Sequence, residues 1–177
     1  QLLIIDESVA KNGIKDILDF FMRNTEVRDE FMVLVSKSNE LLDVITPLDN
    51  INSEFILNSL KTNNKYLGSV NLVTFNDLIN MYLSGMREIT IPSIQVIGNT
   101  NIGEDNENIE TTEIKTNISL SGLAIFKGDK LVGYLDNDES VSYNFISNNI
   151  NNTLITSSYE DGNIVSEIIE CRTDTKV

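Results

Sequence analysis

Histidine is absent from the 177 residues, and so is tryptophan. Without histidine there is no Ser-His-Asp or Cys-His catalysis, no His-ligated zinc or haem, and no imidazole pH switch. A single cysteine, Cys171, excludes an internal disulfide and a Cys-cluster metal site. Its acidic neighbours argue against a thiolate nucleophile. Basic residues are scarce: 13 Lys and Arg stand against 27 Asp and Glu, a net charge of −14. Phosphate contacts need a basic surface, so nucleic acid is a poor partner, and an anionic membrane would repel the chain. No run approaches the roughly 20 apolar residues of a membrane span. There is no Walker loop and no Gly-x-Gly-x-x-Gly, so no phosphate cradle is encoded.

What is present is ordinary globular material. Apolar residues make up 41% and charged residues 23%, enough for a real core in one or two domains. Asn and Ile occur 23 times each, and scattered Asn at that level reads as solvated surface and an A+T-rich genome.

The first third reads strand, helix, strand, helix. Residues 2–5 are a buried strand. Ile14, Ile17, Leu18, Phe21 and Met22 then form one helical stripe. Residues 31–35 are apolar without helical spacing, a second buried strand. Ser38 caps a short helix that Pro47 stops, and residues 52–63 form a further helix. A polar break at residues 63–65 is the best domain boundary.

Thr74-Phe75-Asn76-Asp77 fits a capping box, with Val73 and Leu78 placed as a hydrophobic staple and Gly85 as the C′ residue. Residues 88–97 form a strand whose apolar phase changes at Pro92, which predicts a bulge or an edge there. Residues 98–113 are a polar, acidic hairpin loop whose spacing fails the EF-hand pattern. Residues 114–120 alternate as a half-buried strand that becomes apolar on both faces from Gly122. Lys127-Gly128-Asp129-Lys130 is a tight turn and residues 131–135 return. Asp136 or Asn137 caps a helix whose apolar side carries Val141, Phe145 and Ile146. Residues 153–158 and 164–172 flank an Asp161-Gly162 hairpin signal. The expectation is an α+β fold of two small mixed α/β domains, each a mixed sheet packed with helices. These are residues 1–64 and 65–150, with 151–177 opening a further domain.

Few constellations carry chemistry. Ser8-Val9-Ala10-Lys11 has Ser-x-x-Lys spacing, but among 16 Ser and 9 Lys about one chance match is expected, and no partner motif accompanies it. Asp136, Asp138 and Glu139, and likewise Glu160 and Asp161, sit where a helix cap and a turn want them. Arg23 and Arg28 flank the end of the apolar helix, as dipole partners or as interface anchors.

Residues 119–135, SLSGLAIFKGDKLVGYL, closely resemble the signature hairpin of the Ger(x)C family, the C subunits of spore germinant receptors. Residues 16–28, DILDFFMRNTEVR, with 31–37, FMVLVSK, look like a second family block. Residues 72–78, LVTFNDL, with the Ile91-Pro92 strand, match a third. The blocks come in the family's order and cover most of residues 1–150. The resemblance implies a secreted lipoprotein, held by an acylated N-terminal Cys on the outer face of the spore inner membrane. It implies work with two integral-membrane subunits, A and B, in triggering germination. It further implies three α/β-type domains with no known catalytic residues, and we expect no cofactor and no metal. The lipidated Cys, the first strands and most of the last domain have no counterpart here, so we expect a fragment. That fragment would lack the membrane anchor and carry an open sheet edge through which it could self-associate.

The resulting expectation is a non-enzymatic subunit that works through protein–protein contacts. The interface candidates are Arg23, Arg28, Lys127, Asp129 and Lys130. The alternative is a small-molecule domain that contacts the nutrient directly, which requires a concave pocket with convergent polar groups. An enzyme is the weakest reading, since no histidine is available.

Overall fold

The computed structural model describes residues 1–24, 30–37, 58, 60–62, 66–85, 88–98, 116–150, 152–159 and 162–174. Its elements are β1 (Leu2–Ile5), α1 (Glu7–Asn12), α2 (Lys15–Arg23), β2 (Met32–Ser36), α3 (Phe75–Ser84), β3 (Thr90–Gly98), β4 (Thr116–Lys127), β5 (Lys130–Leu135), α4 (Asn137–Ile146), β6 (Thr153–Tyr159) and β7 (Gly162–Ile168). The helix expected at Ser38, most of the one expected at 52–63, and the acidic loop beyond Gly98 lie outside the described residues.

Strands β1 to β5 form one mixed sheet in sequence order, and β6 and β7 form a separate two-stranded ribbon. The first three strands run parallel, β4 runs antiparallel to β3, and β5 antiparallel to β4. The α+β fold is therefore as the sequence indicated. The two sheets expected on either side of residue 64 are one, because Val35 pairs with Ser93 and Ser36 with Ile94. The physical reason lies in β2: Val33, Leu34 and Val35 are all fully buried. A strand apolar on both faces needs cover above, below and along both edges.

Side-chain alternation divides the core in two. Leu3, Ile5, Val33, Val35 and Ile91 face the cluster that also holds Ile14, Leu18, Phe75, Leu78 and Phe126. Leu2, Ile4, Leu34, Ile94 and Val96 face the other side with Leu60 and Val70. Ile89 and Ile91 thus share one face and Ile94 and Val96 the other. The change of phase falls at a register shift between Pro92 and Ile94 against β4, the bulge that Pro92 signalled. Ser93, inside the bulge and fully buried, donates its hydroxyl to the Ser121 carbonyl at 2.5 Å.

The helical stretch after β1 is two helices, α1 and α2, and the apolar stripe that starts at Ile14 lies on the second. Asp6 caps α1 by accepting from the Ser8 backbone N–H at 2.8 Å, and α1 ends at Gly13, whose φ is +124°. Ile14 then stands at the N-cap of α2 and keeps its place in the stripe by packing, since Ile14 and Leu18 are fully buried. Phe21, from the same stripe, meets Phe31 and Phe75 at centroid distances of 5.2 and 5.4 Å. Phe31 and Phe75 stack at 4.9 Å. Backbone bonds from Phe75 N to Phe31 O and from Val33 N to Val73 O tie α3 to β2 beneath these rings.

Helix α3 begins with the expected capping box: Asp77 N–H donates to Thr74 Oγ1, and Thr74 N–H donates to Asp77 Oδ2 at 3.0 Å. Gly85 closes it in the left-handed conformation. Helix α4 repeats the device with Asp136 and Glu139. It docks on β4 through Ser140, whose hydroxyl accepts from Leu123 N–H at 3.1 Å. Gly122 makes that docking possible: at φ +68°, an added β carbon would stand 2.2 Å from the Leu135 carbonyl oxygen. Asn144, fully buried on α4, donates to the Gly68 carbonyl at 2.7 Å and holds the segment before α3.

Candidate interaction surface

The β4–β5 hairpin carries three of the five candidate residues. Lys127 and Lys130 pair across its mouth, and Gly128 and Asp129 form the two-residue turn. Gly128 has φ +64°, the positive value that a II′ turn requires of its first central residue. Two outside elements clamp this turn. Ile14 N–H, at the start of α2, donates to the Asp129 carbonyl at 2.9 Å. Gly128 N–H donates to Glu88 Oε2 at 3.3 Å. The clamp holds the turn's backbone and leaves Lys127 and Lys130 exposed, while Asp129 is half-buried against Gly13.

The Asp129 side chain lies against Gly13, a contact beyond the turn's own geometry. Its carboxylate would stand 2.6 Å from a β carbon at position 13. The signal that could have exposed this contact was Gly13 itself, a helix breaker immediately before the apolar stripe that starts at Ile14.

Arg23 lies elsewhere. It ends α2, and its Nε donates to both oxygens of Asp19 at 2.9 and 2.8 Å, with the side chain 79% exposed. A nine-residue helix is about 13 Å long, so Arg23 and the turn beside Ile14 sit at opposite ends of α2. Phe20 beside it is 61% exposed and Met22 44%. Arg28 lies outside the described residues.

The remaining motifs resolve into local structure. Ser8 Oγ donates to Asp6 at 2.5 Å, and Lys11 pairs with Glu7 at 2.7 Å, so the Ser-x-x-Lys spacing belongs to a capped helix. Asp136 and Glu139 close the α4 box. Cys171 is unpaired and half-buried, its sulfur 4.0 Å from the Thr173 hydroxyl. Among the described residues no three His, Cys, Asp or Glu side chains gather as a metal site, and no helix is long and apolar enough to cross a membrane.

Sequence reasoning missed Lys37, which joins the two halves of the sheet. Its ammonium donates to Ser121 Oγ at 3.3 Å and stands 5.2 Å from the Tyr134 ring centroid, a cation–π contact. The Tyr134 hydroxyl is buried without a hydrogen-bond partner. Burial, and then the nearby charges of Glu7 and Asp6, push its pKa above the ordinary phenol range.

Residues 1–96 match the family described as the spore germination protein N-terminal domain. The chain belongs to this family. Residues 121–177 match a second family description, spore germination B3/GerAC-like, C-terminal, so the spore germination signature continues through the clamped hairpin to β7. A curated relative, spore germination protein KC of Bacillus subtilis (strain 168), is 29% identical over 164 residues, which is 90% of this chain. This spore germination chain spans 40% of that relative's length. The crystal structure of the GerBC protein superposes with a TM-score of 0.58 at 15% identity, over 94% of this chain and 43% of that one. At that identity the likeness shows the shared α+β fold.

Proposed function

We propose that this chain is part of the C subunit of a nutrient-germinant receptor, and that it acts through contacts with the A and B membrane subunits to trigger germination rather than by catalysis. The observation that carries this reading is the succession of the two family matches, residues 1–96 and then 121–177, on a single chain. The full-length protein would be held by a lipid anchor on the outer face of the spore inner membrane. The proposed contact residues are Lys127 and Lys130, presented on a turn clamped from two sides, together with Arg23 and, on sequence grounds, Arg28. Asp129 lies between the two lysines, its backbone carbonyl held by Ile14 N–H, and is a further contact candidate. Clamping favours such a role, because a preordered contact loses little conformational freedom on binding. The exposed trio Phe20, Met22 and Arg23 has the residue types that enrich protein interfaces.

The test is a titration of the soluble domain of the cognate A subunit with this chain. Saturable binding is expected. It should weaken at least tenfold with Lys127→Glu plus Lys130→Glu, or with Arg23→Ala plus Arg28→Ala. An absence of binding by a chain shown folded by circular dichroism, or binding indifferent to both pairs, overturns this assignment of the surface.

A further inference from the structure

A cavity of about 380 Å3 opens between the segment leading into α3, the start of β3 and the end of α4. That volume falls within the range of small-molecule sites. Its walls mix the apolar side chain of Met81 with Asp77, Glu88, Asn80, Tyr143 and Asn149. The two carboxylates come from different elements, and the fold fixes both. Asp77 Oδ2 accepts from the Thr74 N–H at 3.0 Å and from the Thr74 hydroxyl at 2.6 Å. Glu88 Oε2 accepts from Gly128 N–H at 3.3 Å. These bonds engage one oxygen of each carboxylate.

Among the described residues that line the cavity none is basic. Two negative charges in one concavity, on a chain of net −14, repel anions and concentrate cations. A neutral polyol could bond the Asn amides and donate hydroxyls to the carboxylates, but it carries no charge to offset the two negative ones. An ammonium group gains charge-assisted hydrogen bonds, the stronger kind. Calcium needs six to eight oxygen ligands, more than two half-engaged carboxylates supply. We propose that this cavity binds a small organic amine. Asp77 and Glu88 hold its ammonium group, Asn80 and Asn149 hold its remaining polar groups, and Met81 and Tyr143 pack on its carbon skeleton.

This site does not rest on the receptor reading, but it shares Glu88 with the clamp on the hairpin turn, and Asn80→Lys is the variant that leaves that clamp intact. The experiment is isothermal titration and thermal shift on the 177-residue chain at fixed ionic strength. The probes are ethanolamine, putrescine, glycerol and calcium chloride. Saturable binding and a raised Tm are expected with at least one amine and with neither glycerol nor calcium. Glu88→Gln keeps an acceptor for Gly128 N–H and removes the charge. Asn80→Lys, at an exposed position on α3, places an ammonium group at the cavity wall. Each should weaken amine binding at least tenfold, and if one variant fails to fold, the other decides. The proposal is overturned if neither amine saturates, if glycerol or calcium binds equally well, or if the folded variants bind amine like the parent.

Discussion

Gly13, between α1 and α2, lies so close to Asp129 of the β4–β5 turn that a β carbon at position 13 would stand 2.6 Å from Asp129 Oδ2. Next to this contact, Ile14 N–H donates to the Asp129 carbonyl. The start of the chain and the family hairpin are thus one packed unit. Gly13→Ala meets both a clash and a φ of +124°, and should cost about 1–3 kcal/mol, the scale of a strained backbone position. Asp129→Ala in the same chain should recover part of that loss by removing the clash, leaving the backbone strain. Urea denaturation of the two single variants and the double variant measures the coupling.

Tyr134 supplies a pH prediction. Its folded-state pKa is raised, so the native state holds the phenolic proton at pH values where the unfolded chain, titrating near 10, releases it. The stabilisation is complete below about pH 10 and declines as pH rises above it. Tyr134→Phe should remove this alkaline slope. At neutral pH the same substitution should raise stability by up to about 1 kcal/mol, because it deletes a buried hydroxyl that has no partner. Thermal melts of both proteins between pH 7 and 11 provide the check.

Helix α4 depends on its cap. Asp136→Ala removes the acceptor for Glu139 N–H at 2.8 Å and should lower stability by about 1 kcal/mol. Gly122→Ala is the harsher change at the same junction, since the obstructing groups are backbone carbonyls that cannot rotate away. We expect little folded protein from that variant by circular dichroism.

On α2, burial separates neighbours. Leu18 is fully buried, and Leu18→Ala should cost about 2–5 kcal/mol. Phe20 is 61% exposed, and Phe20→Ala should stay within about 0.5 kcal/mol in the isolated chain. A drop in binding to the A subunit with Phe20→Ala at unchanged stability would assign this side chain to the interface.

Several features were legible because their determinants are local. The Thr74–Asp77 box, the Asp136 cap, the Gly128 turn and the phase change at Pro92 each rest on a few adjacent residues with one favoured geometry. The break at Gly13 was harder to see. The apolar stripe starts only at Ile14, so periodicity marks the buried face of α2 and says nothing of where the preceding helix ends. The cavity was not legible at all, since Asp77, Glu88 and Asn149 look like a cap, a strand entry and a linker until packing brings them together.

By itself, then, the sequence determined the element types, the two faces of the core, the hairpin and the family resemblance, because hydrophobic period, caps and turn residues act over a few positions. Only the tertiary structure decided that β2 and β3 join both halves in one sheet, that the hairpin turn is clamped by Ile14 and Glu88, and that an acidic cavity lies beside α3. Those outcomes depend on contacts between residues distant along the chain. Local propensity leaves such pairings open, and the burial of whole faces selects among them.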